Sequence, residues 1–128
     1  MRRGDYVNVA SHLVSDQEFL DIAHPFRRLV RTAVVLSDSP IEAELRSRLQ
    51  PLFDECVYLD DTDPYTAHCV MRKARILIGS NSQFSLIAGM LNPEALFVMP
   101  KKWFGDGQSA LEKPMDLRCK FQIAVHVE

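Results

Sequence analysis

The chain has 128 residues, 47% hydrophobic and 25% charged, the size and make-up of one globular domain able to hold a core without staples. Fifteen Lys and Arg against 17 Asp and Glu give a net charge of −2, which excludes a basic field for nucleic acid or anionic membrane. Three widely spaced cysteines without a CxxC (Cys56, Cys69, Cys119), no apolar run near the roughly 18 residues of a membrane span, and charge directly after Met1 point away from a secreted or membrane-spanning chain and toward the cytoplasm.

In chain order, Val7–Ser15 reads as a loop and Gln17–Arg31 as a helix interrupted or kinked at Pro25. Ala33–Ser37 is a short apolar run ended by polar residues, the pattern of a strand buried on both faces. Pro40 sits where a first helical turn tolerates it, and Ile41, Leu45 and Leu49 follow at helical spacing. Cys56–Leu59 predicts a second strand, and Asp63-Pro64 predicts the N-cap and first position of a helix running from about Tyr65 to Ala74. Ile76–Gly79 predicts a third strand, Ser82–Leu91 a helix stopped by Asn92-Pro93, and Ala95–Met99 a fourth strand. Phe104–Pro114 reads as a surface loop. Phe121, Ile123, Val125 and Val127 alternate with more polar residues as an edge strand does. This alternation predicts an α/β, Rossmann-like, mainly parallel sheet with helices on both faces, in a single domain spanning 1–128. A doubly wound sheet opens on a central strand, whereas this chain opens on a charged turn, so the first strand is expected to be missing.

Arg2-Arg3-Gly4-Asp5-Tyr6 places two guanidiniums, a glycine and a carboxylate in one turn. Arginines grip a phosphate in a bidentate fork, glycine allows close backbone approach, and aspartate can orient an arginine or a sugar hydroxyl; an exposed charged terminus is the plainer alternative. Gly79-Ser80-Asn81-Ser82-Gln83-Phe84-Ser85 lies at a strand-to-helix turn, where backbone N–H groups and the helix dipole suit a diphosphate, and where Ser80 or Ser82 could equally serve as a simple N-cap. Asp61-x-Asp63 could hold a divalent cation or cap the following helix. Asp38, after the first visible strand, could meet a base or ribose or merely form a turn. Lys101 and Lys102 could face phosphate, with Trp103 packing at the sheet rim, and no pair of the four histidines has ligand spacing.

These segments resemble the donor-binding half of the α-1,2-fucosyltransferases, glycosyltransferase family 11. Met1-Arg2-Arg3-Gly4-Asp5-Tyr6 matches that family's HxRRGDY motif from its second position onward, and Asn81-Ser82-Gln83-Phe84-Ser85 matches its asparagine-serine-x-phenylalanine-serine turn. Met71–Ala74 is similar to a helical pattern before that turn, and Pro100-Lys101-Lys102-Trp103-Phe104 matches a stretch after it, with order and spacing agreeing to about residue 106. The motif's histidine, the strand before it and the family's amino-terminal half have no counterpart here, and Leu86-Ile87 replaces a tryptophan pair. The chain therefore resembles a fragment of a longer transferase.

The resemblance implies half of a GT-B-like fold that transfers L-fucose from GDP-fucose to the 2-hydroxyl of a galactoside glycan, with inversion and without a metal. Arg2 and Arg3 would bind the diphosphate and offset charge on the departing GDP. Asp5 and Tyr6 would sit near the sugar or brace the arginines, and Asp5 is the motif's nearest candidate for the base. Asn81, Ser82, Phe84 and Ser85 would form the donor turn, and Asp38 and Asp63 would contact ribose or guanine. Peripheral membrane association and self-association through a bare sheet edge are compatible with this reading. Three alternatives stand beside it. One is an inactive nucleotide-binding or interaction remnant of the same fold. Another is a metal-dependent sugar transferase using Asp61 and Asp63. The third is a phosphoacceptor signalling domain built on Asp38, Asp60, Ser80 and Lys101.

Overall fold

The computed structural model describes residues 14–80 and 82–100, together with the backbone of 124–127. Helix α1 (Asp16–Ala23) starts at a capping box. The Ser15 hydroxyl accepts from the Glu18 N–H at 3.2 Å, while the Glu18 carboxylate accepts from the Ser15 N–H at 2.7 Å, satisfying two donors that a helix start leaves without intrahelical acceptors. The α-helix then gives way to a 3-10 turn over His24–Arg28, because Pro25 has no N–H to continue the ladder. The predicted kink is thus a change of helix type.

Strands β1 (Thr32–Ser37) and β2 (Glu55–Asp60) pair in parallel, with Val34 opposite Val57 and Ser37 opposite Asp60. Helix α2 (Ala43–Leu49) connects them and begins later than expected, with Pro40 and Ile41 ahead of its N-cap Glu42. Helix α3 (Pro64–Met71) leads to β3 (Ile76–Ile78), and helix α4 (Gln83–Met90) leads to β4 (Leu96–Pro100). Strand β5 (Ala124–Val127) adds in parallel to the other side of β4, with Val98 opposite Val125. Among the described residues the strand pairings are parallel, in keeping with the mainly parallel sheet that the alternation of elements predicts.

The strands form two sheets, β1-β2 and β3-β4-β5. Among the described residues, no hydrogen-bonded strand joins β1 to β3 and no strand precedes α1. The chain is therefore a mixed α/β structure with short parallel sheets.

Two apolar clusters cover the sheets. Leu20 of α1, with Ile41, Leu45 and Leu49, packs with Val35 of β1 and with Cys56 and Tyr58 of β2. Met71 of α3 and Ala88 of α4 pack with Leu77, Phe97 and Met99, and Leu36 of β1 joins this second cluster. Successive side chains on a strand face opposite ways, so Val35 and Leu36 send β1 into one cluster each, and the two helix pairs lie on different faces. The expectation that β1 is buried on both faces needs correction, however. Val34, on the Leu36 side, is 44% exposed, since the cover from α3 and α4 ends at Leu36. Asn92, which stops α4 where predicted, is buried and donates from Nδ2 to the Ala74 carbonyl at 2.7 Å, tying the end of α4 to the end of α3.

Candidate functional site

The serine-rich turn follows β3. The Gly79 N–H donates to the Val98 carbonyl at 2.9 Å, extending the β3-β4 pairing by one residue before the chain turns away. Ser82 is the N-cap of α4, with extended backbone, and its hydroxyl accepts from the Ser85 N–H at 3.3 Å. The Ser85 hydroxyl points back into the turn, within 2.8 Å of the Ser80 carbonyl and 3.0 Å of the Ser82 carbonyl. The Ser80 and Ser82 hydroxyls are 3.0 Å apart. Ser82 and Ser85 are 4% and 3% exposed, so these hydroxyls brace the turn from within. What α4 can offer a ligand there is the start of its backbone: first-turn N–H groups lack intrahelical acceptors, and the helix dipole is positive at that end.

Phe84, in the first turn of α4, is half-buried and packs edge-on against the His68 ring, centroids 5.1 Å apart. This contact sets the first turn of α4 beside the last turn of α3. At the start of α3, the Asp63 carboxylate accepts from the Thr66 N–H at 2.9 Å, with Pro64 at the first helical position, as the sequence predicts. Hydrogen bonds from the hydroxyl and N–H of Thr66 hold the Asp63 carboxyl below the usual aspartate value of 3.8. Its neighbour Asp61 is exposed and has a left-handed backbone (φ 62°), which aspartate tolerates better than most residues.

Asp60 closes β2 in a different way. Its carboxylate accepts from the Ile41 N–H at 3.2 Å and from Arg46 at 2.9 Å, and Arg46 also lies 4.5 Å above the Tyr58 ring. The Ile41 N–H is the main reason the Asp60 carboxyl is held below its ordinary value, with Arg46 adding to it. Burial and a hydrogen bond with Cys56 push the Tyr58 hydroxyl up, so it stays protonated and donates to the Arg46 carbonyl at 3.2 Å. Asp60 is thereby a structural tie between α2 and β2. Asp38 follows β1 and is exposed.

The structure thus brings Ser82, Phe84 and Ser85 into one turn and sets that turn beside α3, the helix Asp63 caps. Arg2, Arg3, Asp5, Tyr6 and Asn81 lie outside the described residues, as do Lys101, Lys102, Trp103 and Cys119. Among the described residues, no three His, Cys, Asp or Glu side chains gather as a metal site, and no helix is long and apolar enough to cross a membrane. Sequence reasoning missed the Arg46–Asp60–Ile41 tie, whose partners lie 14 and 19 residues apart, and the role of Gly79 and Gly89, described below. No protein-family model matches this chain, and no curated protein or solved structure does either.

Proposed function

We propose that the chain is the GDP-fucose-binding, Rossmann-like part of a galactoside 2-α-L-fucosyltransferase of glycosyltransferase family 11. The reading is carried by one observation: the segment that resembles that family's donor turn, Ser82–Ser85, forms a capped helix start directly after a parallel strand. Such a start at the carboxyl end of a strand is where α/β proteins receive phosphates.

In this reaction the bond from the fucose anomeric carbon to the diphosphate oxygen breaks while the acceptor 2-hydroxyl oxygen bonds to that carbon from the opposite face. The hydroxyl proton passes to a base, and GDP leaves with its added negative charge. Cations aimed at that charge stabilise the transition state more than the ground state, a role that falls to Arg2 and Arg3. The start of α4 would add its dipole and free N–H groups to the hold on the diphosphate. Asp5 is the carboxylate within the motif suited to accept the proton or to orient the arginines, Tyr6 lies next to it, Asn81 belongs to the turn, and Asp38 and Asp63 would contact ribose or guanine.

A second reading, a nucleotide-binding remnant without turnover, is favoured by one feature: β1 and β3 belong to separate sheets, so the two strand groups lack a shared ladder. Calorimetric titration with GDP, combined with a transfer assay from GDP-fucose to lactose, separates the two. Binding with transfer, both unchanged by EDTA, is expected for the transferase, and binding without transfer identifies the remnant. Loss of transfer on chelation would favour the metal-dependent alternative at Asp61 and Asp63, and no GDP binding at all removes the donor-site reading.

A further inference from the structure

The fully buried ring of Phe97, on β4, is wedged between two glycines. A Cβ on Gly79 would stand 2.9 Å from Phe97 Cε2 and 3.2 Å from Ser85 Oγ, and a Cβ on Gly89 would stand 2.9 Å from Phe97 Cδ1 and Cγ. Carbon atoms pack at about 3.5–4.0 Å, so both positions call for glycine to admit the ring. Gly79 is the residue from which the serine turn departs, and Gly89 lies in the last turn of α4. One ring therefore touches the chain on both sides of Ser80–Ser85. The same Gly79 backbone also lies against the hydroxyl that braces the turn from inside.

We infer that Phe97 is a positioning residue for the diphosphate turn. Its ring sets how far α4 stands from the end of β3, and so where the N–H groups of Gln83 and Phe84 are presented. The ligand in this statement rests on the function proposed above; the hold of the ring on the turn does not. The packing predicts a compensation. Phe97→Leu leaves space beside Gly79, Gly79→Ala drives a methyl into the ring, and the two together place the methyl in the vacated space.

The test measures amide hydrogen exchange at Ser82–Ser85 and GDP affinity in the wild type, Phe97→Leu, Gly79→Ala and the double variant. Leu45→Ala, a buried change in the other cluster, serves as a control that lowers stability alone. Each single variant at the ring is expected to speed exchange in the turn and weaken GDP binding by about tenfold, with the double variant recovering most of both. The control is expected to keep wild-type GDP affinity. Folded single variants with wild-type turn exchange, or a double variant whose losses simply add, would overturn the inference. So would a control that weakens GDP binding as much as Phe97→Leu, since the effect would then be one of stability alone. If exchange responds as stated but the wild type binds neither GDP nor pyrophosphate, the hold of Phe97 on the turn stands and the assignment of a diphosphate falls.

Discussion

Replacing Ser85 with alanine isolates the internal brace of the serine turn. The side chain is 3% exposed, and its single hydroxyl proton serves the Ser80 carbonyl at 2.8 Å or the Ser82 carbonyl at 3.0 Å. Its loss removes one hydrogen bond, worth about 1 kcal/mol net, while the Ser80 carbonyl keeps the Ser82 N–H at 2.8 Å and the Ser82 carbonyl keeps the Leu86 N–H at 3.2 Å. Alanine offsets a few tenths of this through its better helix propensity, roughly 0.5 kcal/mol. The expected destabilisation is about 0.5–1 kcal/mol, read in urea as a lower midpoint at unchanged slope. Gln83→Ala, an exposed change in the same turn, should stay within about 0.5 kcal/mol of wild type. A Ser85→Ala protein as stable as Gln83→Ala would show that the hydroxyl does not brace the turn, and the structural assignment of Ser85 would fail.

Ser82→Ala removes the α4 N-cap and should cost about 0.5–2 kcal/mol in the same assay, with Ser82→Gly costing less. Acid should weaken the fold through Asp60 and Asp63. Both carboxyls are held below 3.8 in the folded chain, so their stabilisation is complete above that value and is lost as pH falls through the lowered folded values. The urea midpoint should therefore drop below about pH 4, and the combined Asp60→Asn and Asp63→Asn variant should show a shallower drop. Arg2→Ala should weaken GDP binding ten- to a hundredfold, the worth of one charge-assisted hydrogen bond at about 1.5–3 kcal/mol, and calorimetry showing a change under threefold would remove that arginine from the site.

Elements whose local chemistry is self-contained were readable from the sequence. Asp63-Pro64 announces the start of α3 because cap and first-turn proline act within three residues. Leu45 and Leu49 reach the core because helical spacing puts them on one face of α2, and Ile41 joins them from the segment just ahead of the helix. Ser15-x-x-Glu18 is a local signal of the same kind for α1, one that the reading of a helix from Gln17 does not use. Pairing between distant segments is a different matter. Nothing in the run Ala33–Leu36 reveals that Leu36 is covered and Val34 is not, because that depends on where α3 and α4 end over the strand.

The serine turn shows the same division. Its place between β3 and α4 follows from residue type, and Ser82 does cap the helix. That Gly79 and Gly89 are spaced to admit Phe97 depends on a strand arriving from 8 to 18 residues away in sequence. A lone glycine in a helical or strand pattern signals close backbone approach without naming the partner.

The most direct test of a diphosphate held at the start of α4 is an NMR titration of the backbone amides with GDP. The account predicts saturable shifts at Gln83 and Phe84 that inorganic pyrophosphate reproduces in part and that disappear in the Arg2→Ala protein at the same nucleotide concentration. GDP that leaves those two amides unmoved, or moves them equally with and without Arg2, would contradict it.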